Sequence, residues 1–279
     1  MRHLVLAQAR AHRGRYVASA LAVVVAVAFV VATLVLGSTV DSAITTSTAA
    51  QYDGAAAVIT ESDSDLDPDG VLTAISAVPG VEASALDVTG PIKVAGTDGY
   101  STASTVSGDV SLRWQRLADG RWPSGPGEVT VGSSSRHAIG DSLAITDIDG
   151  KPAAGDVTVV GTVDLAGSPL ALDSRLVFGD VAQVRAWAGE YTEWEIRVAG
   201  RGGSALTDVL AAAVPGAQVT TGADRATAVA GSYVGDIGVL RNVLLCFAAI
   251  AVVVAGLVIS NTFAVLLAAR TREFALMRC

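Results

Sequence analysis

Cysteine, lysine, histidine and aromatic residues are all scarce in this chain. Its 279 residues include only two cysteines, Cys246 and Cys279. Both lie near the C-terminal end, so the long middle segment has no disulfide framework and must fold on its own core. Lysine occurs only at Lys93 and Lys151. A GxxxxGK[ST] phosphate loop is therefore absent: Lys151 follows Gly150 but precedes Pro152, and no glycine stands five residues before Gly150. The chain is not expected to hydrolyse ATP.

Histidine is limited to His3, His12 and His137. This weighs against a hydrolase at "GDSL" (140–143), where a base should follow Ser142 in the chain and none does. His137 lies on the turn leading into the same strand, so the stretch reads as a Gly-Asp turn opening a hairpin strand. A calcium loop fares no better. Asp65, Asp67, Asp69 and Gly70 have its opening spacing, but Ser76 stands where a bidentate glutamate is required and Pro68 intrudes. No cofactor or metal is expected. Asp67 instead reads as a helix cap with Pro68 at the first helical position.

Long apolar runs are present. Val17 to Leu36 is uncharged over twenty residues and Val243 to Leu267 over twenty-five; at ~1.5 Å per residue each can cross about 30 Å of hydrocarbon. The first exceeds a signal-peptide core, and Asp41 interrupts the small residues that cleavage needs, so it reads as a retained anchor. Basic residues flank the membrane ends: Arg2, Arg10, Arg13 and Arg15 before the first run, and Arg270, Arg272 and Arg278 after the second. The positive-inside rule then puts both termini in the cytoplasm. Residues 41–237 hold 26 of the 27 acidic residues but 11 of the 19 basic ones, a net −15 against +7 elsewhere. No nucleic-acid footprint appears.

The expected layout is a basic N-terminus (1–16), a transmembrane helix (17–37), an extracytoplasmic α+β domain with helical stalks (38–237), a second transmembrane helix (238–268) and a cytoplasmic segment (269–279). Ser38 to Gln51 suits a stalk, and few breakers follow Ala223, which suits another. Between them, strands are expected at 55–60, 81–88, 92–94, 127–131, 141–146, 156–164, 175–178 and 193–198. The turn "DIDGK" (147–151) joins two of these as a hairpin. Helices are expected from Asp67 to about Val78, at 180–188 and at 203–214. Within the second span, Asn261 and Thr262 favour a partner helix over lipid, and Gly256 permits close approach.

The stretch "ISNTFAVLLAARTREFALMR" (259–278) resembles the end of the second span and the following cytoplasmic segment of FtsX/MacB-like ABC-transporter permeases. The matching positions are Asn261, Thr262, Arg270, Arg272, Glu273, Phe274 to Met277, and Arg278. The N-terminal "ARAHRGRYVASALAVVVAVAFV" and the hairpin region "GEVTVGSSSRHAIGDSLAITDIDGKPAAGDVTVVGTVD" are similar to the same family. The resemblance implies an inner-membrane permease half with a MacB periplasmic-core-like outer domain. It also implies a coupling helix at Arg270, Arg272, Glu273, Phe274, Met277 and Arg278 that docks on a separate ABC ATPase subunit. Implied partners are that ATPase, a second permease copy or a missing C-terminal half, membrane lipid, and an extracytoplasmic cargo or client. The family continues into further spans, so the chain is expected to be a fragment, a truncation or a split subunit. The alternative is a membrane-anchored binding or sensor protein that needs no ATPase.

Overall fold

The computed structural model describes residues 13–61, 66–165, 168, 170 and 175–276. In chain order its elements are α1 (Arg13–Gln51), β1 (Ala57–Glu61), α2 (Pro68–Ser76), β2 (Val81–Val94), β3 (Ser101–Thr105), β4 (Arg116–Gly120), β5 (Glu128–Gly132), β6 (Ser142–Thr146), β7 (Pro152–Asp164), β8 (Leu176–Gly179), α3 (Val181–Ala188), β9 (Glu193–Gly200), α4 (Ser204–Ala213), β10 (Ala217–Thr221) and α5 (Gly222–Leu276). Two compact units result: Ala43–Ser232, and the outer parts of α1 and α5.

The helical unit follows from residues that neither break a helix nor charge it. The stretches Val23–Gln51 and Asn242–Asn261 are long and apolar enough to cross a membrane. The first overlaps the expected span and runs on into the stalk without a break in α1. Side chains such as Leu21, Val24, Phe247 and Leu257 are exposed, and almost none of either stretch is buried. A soluble protein's core helix is covered; these helices expose the apolar surface that lipid accommodates.

In the second unit, β10, β1, β9 and β2 form a wholly antiparallel four-stranded sheet. Each of the two crossovers, β1–α2–β2 and β9–α4–β10, steps over one intervening strand, giving a pair of split βαβ units. Val71 and Ile75 of α2 and Leu206 and Leu210 of α4 share one core with Ile59, Ile196 and Val198 of the sheet. Asp67 caps α2 by accepting from the Asp69 and Gly70 amides, as its sequence position predicts.

Between β2 and β9 the chain inserts a closed barrel. β2 pairs with β9 through Thr89, then with β3 and β6 up to Val94. The ring continues from β3 to β8, β5, β7 and β6 before returning to β2. Closure leaves these six strands no free edge; β4 adds to the outside of β7. The expected β6–β7 hairpin is present, with Ser142 opposite Thr158 and Thr146 opposite Pro152.

The structure departs from the sequence expectation at several strands. Two expected strands over 81–94 are one, because Gly90 and Pro91 sit where β2 changes partner rather than where it ends. The unexpected strands β3, β4 and β10 read STAST, RLADG and AQVTT. Their polar residues carry little alternating apolar signal, and pairing alone makes them strands.

Gly90 also sets how closely α3 lies on β2. A Cβ at Gly90 would fall 2.3 Å from the Ala188 Cβ, and α3 is held there by the buried Trp187. Gly90→Ala is expected to destabilise the protein by about 1–3 kcal/mol through overpacking. Thermal unfolding measures this; an unchanged midpoint contradicts the packing of α3 on β2.

Candidate junction at the stalk roots

Strand alternation puts Ile196 and Val198 of β9 against the helices, so Glu195 and Arg197 face the other way. On an open sheet that second face meets water. Here it is covered. Tyr52, at the end of α1, and Ala226, in the first turns of α5, pack with Val58 of β1, and Leu112 packs with Ala85 and Ala199. Both stalk helices therefore root on one face of one sheet.

Arg197 is the hub of this face, only 7% exposed. Its Nη1 donates to the Gln51 carbonyl at 2.9 Å and its Nε to Glu195 Oε1 at 3.2 Å. The Gln51 carbonyl is one of the acceptors a helix C-terminus leaves without an intrahelical donor, so the guanidinium caps α1 and complements its dipole. Asp87 Oδ2 lies 2.7 Å from Arg197 Nε yet accepts no aligned hydrogen bond; the contact is an ion pair without a directed N–H. The guanidinium also stands over the Tyr52 ring, 5.2 Å from its centroid.

The network extends to the second stalk. Tyr52 Oη donates to Glu195 Oε2 at 3.2 Å, and Arg225 Nε of α5 donates to the same oxygen at 3.2 Å. Thr105 Oγ1 donates to Asp87 Oδ1 and accepts from the Val88 amide. Gln51 Nε2 donates to Ser168 Oγ. Gly222 brings the roots together: a Cβ there would meet the Ala55 carbonyl oxygen at 2.1 Å and that of Tyr52 at 3.2 Å. Only glycine lets α5 begin so close to the chain leaving α1.

Among the sequence candidates, Arg270, Arg272, Glu273 and Phe274 lie on the last turns of α5; Met277 and Arg278 lie outside the described residues. Thr262 is also on α5. Gly256 and Asn261 are exposed, and a Cβ on Gly256 would meet nothing within 4 Å. Ala255, next to Gly256, is buried. Ser142 Oγ donates to Asp156 rather than to a histidine, and Asp69 is paired with Arg185 at 2.6 Å. Among the described residues no group of His, Cys, Asp or Glu could hold a metal ion.

Sequence reasoning missed the hub. "EWEIRV" carries charges at alternate positions, the pattern of a solvent-facing sheet side. What turns that side inward is the arrival of residues more than a hundred positions away, for which no local signal exists.

Burial raises the carboxyl pKa of Asp87 from 3.8 to about 6, with Glu195 adding to the rise and Arg197 and Thr105 opposing it. Burial likewise pushes the Tyr52 phenol up, aided by Glu195. For Asp87 the folded value lies above the unfolded one. Its stabilising contribution is therefore complete below about pH 4 and is lost as pH rises through about 6, roughly 3 kcal/mol in all. Asp87→Asn removes this dependence. The difference in unfolding free energy between wild type and variant should change by about 2–3 kcal/mol between pH 4 and 7; a constant difference contradicts the buried placement of the carboxyl.

A family model described as MacB-like periplasmic core domain matches residues 17–229. The chain is similar to the crystal structure of the periplasmic region of MacB from Actinobacillus actinomycetemcomitans, at 10% identity and a TM-score of 0.43, over 63% of this chain and 94% of that one. It is also similar to the extracellular domain of the noncanonic ABC-type transporter YknZ from Gram-positive bacteria, at 11% identity and a TM-score of 0.41, over 59% of this chain and 98% of that one. No curated protein matches it. With the family match spanning most of its length, the chain belongs to the MacB/FtsX-like permeases of ABC transporters and carries their MacB-like periplasmic core domain.

Proposed function

We propose that this chain transmits mechanical work, driven by ATP hydrolysis in a separate subunit, from the cytoplasmic side of a bacterial inner membrane to its extracytoplasmic domain. The observation that carries the reading is the shared footing of the two stalks. Arg197 holds the Gln51 carbonyl at the end of α1, and Arg225 of α5 holds Glu195 on the same strand. Displacing either helix at its root must then load β9 and the sheet rather than bend a loose linker. Continuous helices support this, since neither α1 nor α5 is interrupted between apolar stretch and root. The domain's motion would act on an extracytoplasmic cargo or client.

In this reading both termini are cytoplasmic, and the end of α5 is the docking segment for the ATPase. Arg270, Arg272 and Glu273 supply charge to that contact, Phe274 and Met277 its apolar face, and Arg278 a further cation. Asn261, Thr262 and Gly256 face a helix of a second permease copy or of a further part of the permease.

Reversing Arg270, Arg272 and Glu273 together should weaken binding of the ATPase by roughly tenfold or more, as for loss of an interface hot spot, and abolish permease-stimulated ATP turnover. Co-purification and turnover in nanodiscs measure both. Wild-type affinity with unchanged stimulated turnover overturns the coupling role. A chain that recruits no ATPase at all is instead an anchored binding protein.

A further inference from the structure

The sheet face on which the stalks root holds two acids directly opposite each other. Asp87 of β2 pairs in register with Glu195 of β9, and residues so opposed carry their Cβ atoms about 5 Å apart. Both are nearly out of water, Asp87 at 6% exposure and the Glu195 side chain at 14%. Like charges at such a position repel, with little solvent to screen them.

The two carboxylates are not equally served. Glu195 accepts from Arg197 Nε, Arg225 Nε and Tyr52 Oη. Asp87 accepts one long bond from Thr105 Oγ1, at 3.4 Å, and its Oδ2 accepts none, although Arg197 Nε lies close by. The other elements packed here bring no further cation to Asp87. On β1, Thr60 stands opposite Glu195. On the segment after β3, Gln115 donates to the Thr105 carbonyl, Arg113 donates to the Ser107 and Gly108 carbonyls, and Asp109 accepts from Ser111. When two acids share one site, one of them holds a proton far more readily, and the geometry singles out Asp87. Burial and the facing Glu195 push its carboxyl up from 3.8 to about 6.

We propose that the Asp87–Glu195 pair makes the seating of both stalks sensitive to extracytoplasmic pH: one proton on Asp87 seats them, and its loss to solvent loosens them. With the proton in place, Glu195 alone meets Arg197 and Arg225, and the roots close over a cluster free of repulsion. With Asp87 ionised, the pair is relieved by admitting water, which requires lifting the groups that close the cluster, Tyr52 at the end of α1 and Arg225 of α5. Opening returns the Asp87 carboxyl to its ordinary range, so the seated form binds the proton more tightly. Seating is therefore fully favoured below about pH 4 and weakens as pH rises through about 6. The consequence for transport rests on the mechanical role proposed above; the seating itself does not, and its test needs no ATPase.

The test is hydrogen exchange of the full chain in nanodiscs at about pH 5 and about pH 7.5, each rate corrected for intrinsic exchange. Protection of residues 52–57, 193–197 and 222–230 should fall together by roughly tenfold at the higher pH, and there lie below that of β5 and β7 in the barrel. Asp87→Asn, uncharged and of the same shape, should abolish the pH effect, and Glu195→Gln should shrink it. Wild type decides the matter by itself if either variant fails to fold. Protection independent of pH, a full pH effect retained in Asp87→Asn, or roots as protected as the barrel strands at the higher pH overturns the proposal; the last result means that the junction opens only when the whole domain unfolds.

Discussion

A guanidinium taken out of water is costly unless every direction it presents is met by a partner. Arg197 imposes that condition on the whole outer domain. Its partners come from four places: the last carbonyl of α1, the ring of Tyr52, Asp87 on β2 and Glu195 on its own strand. If the end of the first stalk left the sheet, the buried guanidinium would lose an acceptor and a ring face while keeping its carboxylates, a cost of about 1–3 kcal/mol for the unmet N–H. Glu195 passes the same condition to Arg225 and hence to the second stalk. An apolar junction of similar area could slide by a residue at modest cost. The charged one has a single register, the use for which buried ion pairs are best attested.

The surrounding geometry serves this anchor. The split βαβ arrangement leaves one sheet face for α2 and α4 and frees the other for the stalks. Gly222 removes the one side chain that would hold the two roots apart. The barrel hangs from β2 and returns through α3 to β9, so the two strands that carry Asp87 and Arg197 are also those that frame the insertion. The same two strands therefore carry both the stalk junction and the attachment of the barrel.

Much of this architecture is legible in the sequence where the local chemistry is unambiguous. The two apolar runs, the Asp67–Pro68 and Asp180 helix starts, the β6–β7 hairpin and the Arg-rich end of α5 each carry their own signal. β3 is not legible, because Ser101 and Thr105 are buried polar residues in a strand with one alanine at its centre; Thr105 is there to bond Val88 and Asp87. Nor is the junction, whose members Gln51, Tyr52, Asp87, Glu195, Arg197 and Arg225 are spread over most of the domain and look like ordinary surface residues one at a time.

Hydrogen exchange of the full chain in nanodiscs tests the central claim most directly, because it reports whether the stalk roots open with the sheet or apart from it. Amides of residues 52–57 and 222–230 should exchange as slowly as those of β9, and all three segments should accelerate together as denaturant is added. Rapid exchange at either root while β9 stays protected would mean that the stalks are tethered loosely, and that motion in the membrane does not reach the domain through Arg197.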